Sequence, residues 1–271
     1  MIKDITLGQF FPGNSILHKL DPRIKIVLMF FYIAMLFIVR TAVGYVLVVS
    51  VSFLLVKLSG VPLKLYLRGL KPLMFIVIIT AVINLFYSTG EPLVEFWIFR
   101  LTAQGIKTAI FMVMRIFLLV LGTSMLTYTT SPIVLTNALE RLLAPLNAIK
   151  IPVHEFSMMM TIALRFIPTL LDETDKIINA QKARGADFES GSLIRRAKAL
   201  TPILIPLFVS AFRRADELAT AMECRCYTGS PKGRTHLVVF RMSARDYAAA
   251  AIMIMLIAAS ILLNSVLIFG Y

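Results

Sequence analysis

Residues 106–128 read IKTAIFMVMRIFLLVLGTSMLTY, an apolar run broken only by Lys107 near its start and Arg115 near its middle. Its length decides the fold, because a helix needs about 20 apolar residues to cross a hydrocarbon core about 30 Å thick. Working outward, comparable runs occupy Ile24 to Val39, Ala42 to Val56, Pro72 to Tyr87 and Tyr247 to Phe269. The shorter ones are flanked by Arg40, Lys57 and Lys71, whose stems lie along lipid while their charges reach the interface. Apolar residues make up 58% of the chain, against about 45–50% in an ordinary soluble domain. The expectation is an all-α membrane protein with a bundle of about five transmembrane helices.

Lys and Arg outnumber Asp and Glu by 28 to 15, an excess that would also suit a nucleic-acid binder. Its distribution decides otherwise. Sixteen of the 28 basic residues fall between Thr129 and Arg245, and Lys57, Lys64, Arg68 and Lys71 cluster between the second and third runs. That is the bias expected of cytoplasmic loops. It predicts an N-terminus inside, a loop with Glu91, Glu95, Trp97 and Arg100 outside, a return to the cytoplasm near Thr130 and a C-terminus outside. No partnership with nucleic acid is expected. The first apolar run follows Asp21-Pro22-Arg23 and is followed by no small-residue cleavage site, so it reads as a retained span. Three segments result: a four-span membrane domain over 1–128, a cytoplasmic or interfacial domain over 129–245, and a last transmembrane helix over 246–271.

The middle segment has helical periodicity with start and stop signals. Ser131-Pro132 reads as an N-cap followed by proline at the first helical position, opening a helix that ends near Pro145. A second begins around His154 and carries Phe156, Met159, Met160, Phe166 and Leu170 on a largely apolar face. A third opens near Ser192, with Leu193, Ala197, Leu204, Phe208, Ala211 and Ala215 on one stripe. Pro168, Pro202 and Pro206 fall inside these patterns, where each removes a backbone bond. Asp172, Glu173, Asp175, Lys176 and Lys182 on the one, and Arg195, Arg196, Arg213, Arg214, Asp216 and Glu217 on the other, are too costly for lipid. The alternative is that both are further transmembrane spans, which these charges disfavour; the expectation is two amphipathic helices outside the hydrocarbon.

Each of these two helices closes on an arginine between small residues: Ala183-Arg184-Gly185 and Cys224-Arg225-Cys226. A guanidinium at a helix C-terminus gains from the helix dipole, and Gly185 suits the left-handed residue that ends a helix. Taken singly, either is an ordinary capping charge. Their recurrence suggests a matched pair of plugs for carboxylate-lined grooves. Arg115 is the lone charge deep in a span, which makes it a candidate for a pathway residue or for one that anchors helices. Asn84 reads as interhelical glue.

Catalysis finds no support in the residue pattern. There is no G-x-x-x-x-G-K-[ST] phosphate loop, so ATP hydrolysis by this chain is not expected. His18, His154 and His236 are scattered, and Cys224 and Cys226 lie on different faces of a helix, so neither a metal site nor a cofactor is expected. A self-contained channel or secondary transporter would call for inverted repeats or facing ionisable groups at mid-membrane. Arg115 is all the sequence offers.

Gly8-Gln9-Phe10, Pro12-Gly13, Ser15 and Leu17-His18-Lys19-Leu20-Asp21-Pro22-Arg23 resemble the N-terminal signature of the transmembrane T component of energy-coupling factor (ECF) transporters. Thr129-Thr130-Ser131-Pro132, Leu164-Arg165-Phe166-Ile167-Pro168, Gln181-Lys182-Ala183-Arg184-Gly185 and Ala221-Met222-Glu223-Cys224-Arg225-Cys226-Tyr227 are similar to blocks of that family in the same order. The resemblance implies a non-catalytic scaffold in the plasma membrane of a prokaryote, assembled with two ABC-type ATPases and a small membrane S component that binds a vitamin or metal ion. It implies that Arg184 and Arg225 dock into the two ATPases and that the apolar helix faces hold the S component. On this sequence those faces include Met159, Phe166, Leu170, Leu204, Phe208 and Ala211. The second arginine motif departs from the common Ala-Arg-Gly form, since no glycine follows Arg225.

Overall fold

The computed structural model describes residues 10–87, 92–96, 99–186, 188, 192, 194, 198–227, 229 and 239–268. Gly8, Gln9, Glu91, Trp97, Leu193, Arg195, Arg196, Ala197 and His236 lie outside the described residues. The chain divides into two compact units, Gly8–Leu135 with Val239–Tyr271, and Thr136–Val238 with Met1–Leu7.

The first unit is a helical bundle built from α1 (Pro22–Ile38), α2 (Ala42–Ser59), α3 (Leu63–Leu70), α4 (Met74–Tyr87), α5 (Ala103–Thr129) and α9 (Ala244–Ile268). A single antiparallel hairpin of β1 (Pro92–Phe96) and β2 (Phe99–Thr102) joins α4 to α5. Among the described residues four stretches are long and apolar enough to cross a bilayer: Ala42–Ser59, Leu63–Leu85, Ala103–Thr129 and Ala244–Ser265. The all-helical membrane class read from the sequence holds. One expected span starts earlier than Pro72, because α3 runs through the short 3-10 turn Lys71–Leu73 into α4. Another, α1, has 17 residues, about 26 Å of helix, somewhat less than the hydrocarbon thickness.

Three sets of contacts give the helix directions. At one end Asp246 Oδ1 accepts from the Asp21 backbone N–H (2.8 Å), and at the other Asn264 Nδ2 donates to Ile38 O (3.0 Å), so α1 and α9 run parallel. Lys25 meets Thr129, and Tyr32 meets both Leu118 and Ser52, so α5 and α2 run opposite to α1. Tyr32, Met35, Leu36, Val39, Tyr45, Val48 and Leu118 form the buried centre of this packing. Its outer face inverts the pattern of a soluble protein: Phe30, Phe75, Ile254 and Met255 are all more than two-thirds exposed. A surface of that kind matches lipid.

Helix approach is close where Gly122 of α5 meets Tyr32. A Cβ built on Gly122 would lie 2.5 Å from the Tyr32 ring. The ring cannot yield, because its hydroxyl donates to Leu118 O (3.1 Å) and shares a 2.9 Å hydrogen bond with Ser52 Oγ.

The second unit contains most of α6 (Pro132–Leu143), then α7 (Val153–Ala183) and α8 (Thr201–Glu223). The Ser131-Pro132 start is seen as read, and a 3-10 stretch over Ala144–Ile149 replaces the last turn. His154 Nδ1 and Glu140 Oε1, 2.8 Å apart, fasten the first turn of α7 to α6. Pro168 and Pro206 sit inside α7 and α8, each removing one helix bond. Pro202 does not. It lies in the first turn of α8, where the missing N–H would have had no helical partner.

Replacing Gly122 by Ala is expected to lower the melting temperature of the detergent-solubilised chain, by an overpacking cost of about 1–3 kcal/mol. Gly69→Ala is the control, since its added Cβ would come no nearer than 3.5 Å to any neighbour. Equal melting temperatures for the two variants would show that Tyr32 is not held as described.

Candidate functional site

Both arginine motifs end their helices with the same turn. After α7, Gly185 N–H donates to Lys182 O (2.9 Å) and Ala186 N–H to Gln181 O (3.0 Å), with Gly185 at φ +86°. After α8, Cys226 N–H donates to Glu223 O (2.8 Å) and Tyr227 N–H to Met222 O (3.0 Å), with Cys226 at φ +58°. Each is a Schellman turn, in which a left-handed residue lets two N–H groups satisfy the last free carbonyls. Arg184 and Arg225 hold equivalent positions, one residue before the left-handed one. The missing glycine thus leaves the geometry intact, and Cys226 adopts a conformation that glycine takes at far lower cost.

All six residues of the two motifs are exposed. Neither Arg184 nor Arg225 forms an ion pair among the described residues.

The two helices pair antiparallel. Tyr227 Oη donates to Met158 Sδ (3.0 Å), near the start of α7 and just past the end of α8. Farther along, Arg214 Nη2 donates to Glu173 Oε2 (2.8 Å). The Ser210 hydroxyl donates to the Glu173 carboxylate as well, and this bond, with the charge of Arg214, holds the carboxyl below its ordinary 4.5. The Glu173–Arg214 pair marks the midpoint between the two motifs: Arg184 follows Glu173 by as many residues as Arg225 follows Arg214. At about 1.5 Å per residue each arginine lies about 16 Å from the bridge, so the two stand at opposite ends of the pair, up to about 33 Å apart. The sequence displays Glu173 and Arg214 only as charges on polar faces, because nothing local links residues 41 apart.

The six apolar face residues divide into two sets. Phe166, Leu170 and Ala211 line a groove of about 270 Å³ at the helix crossing, together with Leu218 and Met222. Met159, Leu204 and Phe208 stand more exposed, at 57%, 48% and 62%.

In the other unit, Arg115 is engaged by its own bundle. Its Nε donates to Tyr45 Oη (3.1 Å), its Nη2 to Val39 O (3.5 Å), and its guanidinium lies 5.5 Å from the centre of the Phe37 ring. These contacts close the end of α1 against α2. Asn84 Nδ2 donates to Thr80 O (2.8 Å) within α4, so that bond stays inside its helix and does not bridge to a neighbour.

The Leu17-to-Arg23 signature is a structural buckle. His18 bonds Ser15 Oγ and Phe11 O (2.7 and 2.9 Å), and Phe11 N–H donates to Tyr128 O (2.9 Å). Burial pushes the Asp21 carboxyl up, but the hydrogen-bonded Arg23 guanidinium and backbone N–H hold it below the usual carboxylate value. Lys25 is buried and donates to His18 O, Thr129 O and Thr130 Oγ1. The second family-like block, Thr129-Thr130, is therefore seated on the first.

The family described as Cobalt transport protein (CbiQ) matches residues 13–237, which include the buckle and both arginine ends. Relatives match nearly end to end. The energy-coupling factor transporter transmembrane protein EcfT of Ruminiclostridium cellulolyticum is 54% identical, covering 98% of this chain and 99% of its own. The protein of the same name from Clostridium kluyveri is 52% identical over 97% of each chain. The chain belongs to the EcfT family of energy-coupling factor transmembrane proteins. As an EcfT protein it is a multi-pass membrane component of a transporter. EcfT of Thermosediminibacter oceani, 49% identical over 92% of this chain, belongs to the same group.

Two outcomes are expected of the helix ends. Gly185→Ala should destabilise the end of α7 by about 1 kcal/mol, and Cys226→Gly should stabilise the end of α8 by a similar amount. Amide exchange at residues 184–186 and 225–227 reads both. The α7–α8 bridge should also titrate: a carboxylate held below 4.5 adds stability that is complete above that value and is lost as pH falls through the lowered one. Spin labels placed on α7 and α8 should report a broader interhelix distance distribution as pH falls below 4.5, and Glu173→Gln should remove that dependence.

Proposed function

We propose that the chain is the coupling scaffold of an ATP-driven ECF importer for vitamins or other micronutrients, set in the plasma membrane of a prokaryote. Arg184 and Arg225 dock one each into carboxylate-lined grooves of two ABC-type ATPase subunits. Met159, Phe166, Leu170, Leu204, Phe208 and Ala211 belong to the surface that holds a substrate-binding S component. The segment 129–245 lies on the cytoplasmic side, with residues 1–128 and 246–271 in the bilayer, the N-terminus inside and the C-terminus outside. ATP hydrolysis belongs to the partner subunits.

One observation carries this reading: two exposed arginines in the same turn geometry, at the two ends of one antiparallel helix pair. A pair of this form suits two similar partners standing side by side. Closure of the ATPases around ATP would move the two ends together, and the helices would carry that motion to the S component as a rigid-body shift. Loose apolar faces with Met159 among them suit exchangeable partners. The engagement of Arg115 by Tyr45 and Val39 removes the feature that favoured a self-contained channel or secondary transporter.

Arg184→Ala and Arg225→Ala should each weaken ATPase association, by about 2 kcal/mol for a buried arginine anchor or roughly thirtyfold in affinity, while membrane insertion is unchanged. Co-purification of ATPase subunits and uptake in proteoliposomes measure this, and the double variant should lose both. A double variant that still assembles and transports would overturn the docking role.

A further inference from the structure

Between α1, α2, α5 and α9, inside the first unit, runs a groove of about 350 Å³. Its walls are apolar, with Leu28, Met29, Leu55, Met125, Ile252 and Leu256 among them. The hydroxyls at its deep end, Tyr32 and Ser52, have no proton to spare, since each other and the carbonyls of Leu118 and Val48 stand within hydrogen-bond reach to take them. Water there would lack the two to four polar partners it needs, and an empty space would leave the lining atoms without contacts.

The mouth differs from the walls. It lies at the end of the bundle where α1 and α9 both begin, and it is bordered by Lys25 and Arg245. Lys25 has all three ammonium donors committed, to His18 O, Thr129 O and Thr130 Oγ1, so it leaves none for a ligand. The carboxylates at this end are occupied. Asp21 accepts from the Arg23 guanidinium and N–H, and Asp246 accepts from the backbone N–H groups of Asp21 and Ser243. Arg245 is exposed, its backbone N–H donates to Ser243 Oγ (3.3 Å), and among the described residues its guanidinium forms no ion pair or side-chain hydrogen bond.

We propose that this groove holds one acyl chain of an anionic phospholipid whose phosphate sits on Arg245. The guanidinium fork matches a phosphate with two parallel hydrogen bonds. A choline headgroup would bring a cation beside Arg245 and Lys25, whereas a glycerol headgroup would not. A peptide is disfavoured as occupant, because the apolar walls offer its backbone N–H and C=O groups no partners. The lipid is then a structural element that fills the seam between α1, α2, α5 and α9.

The test uses the full-length chain in mild detergent, mixed with equal amounts of phosphatidylglycerol and phosphatidylcholine of the same acyl chains, with retained lipid counted by native mass spectrometry. One retained lipid is expected, with phosphatidylglycerol favoured about tenfold. Arg245→Gln, a surface change, should bring the two lipids to near-equal retention. Ala249→Phe, placed in the groove wall, should reduce retention of both severalfold, and Ala249→Leu repeats the test with a smaller side chain should the first variant fold poorly. Equal retention by the wild-type chain, an undiminished preference in Arg245→Gln, or unchanged retention in a folded Ala249 variant would each overturn the proposal.

Discussion

Tyr32 is the residue on which the membrane bundle turns. Its ring fills the space left by Gly122, and its hydroxyl links α1 to α2 through Ser52 and to α5 through Leu118. In lipid no water competes for such bonds, and no hydrophobic difference drives helix against helix, so close packing and a few interhelical hydrogen bonds must hold the assembly. The polar residues of the bundle follow the same rule. Arg115 spends its donors on Tyr45 and Val39, and Lys25 spends its own on three oxygens near the ends of its neighbours. A polar side chain that reads as a functional signal in a hydropathy profile becomes a fastening once its partners are in view.

The pair α7 and α8 is built differently. Its polar faces carry many charges, and one bridge, Glu173 to Arg214 with Ser210 alongside, sits midway between two equivalent ends. The symmetry resides in the backbone. Gly185 and Cys226 both take the left-handed conformation, so both arginines leave their helices in the same way despite different neighbours. From the bridge to each end the helix is unbroken, because Pro168 and Pro206 both lie before it.

Much of the fold was legible because the bilayer makes hydropathy a nearly sufficient signal. Runs such as 106–128 must be helical, since lipid offers no partner to an open backbone. The starts and ends of α6 and α7 were legible too, from Ser131-Pro132 and from Arg184-Gly185. Pro72 looks in sequence like a break, yet it sits in a 3-10 turn through which α3 runs on into α4. Pro202 reads in sequence like Pro206, but the effect of a proline depends on whether its nitrogen falls in the first turn or beyond it.

The sequence by itself determined that this is a helical membrane protein, that two of its helices are amphipathic and charged, and that each ends on an arginine. Those properties depend on residues within a few turns of one another. Only the tertiary structure decided that Cys226 stands in for glycine, that Glu173 and Arg214 meet at the middle of an antiparallel pair, and that Arg115 faces Tyr45. It also decided that α1, α2, α5 and α9 enclose an apolar groove with Arg245 at its mouth. These depend on which distant segments are brought within a few ångströms, and contact between side chains far apart in the chain leaves no periodicity to read.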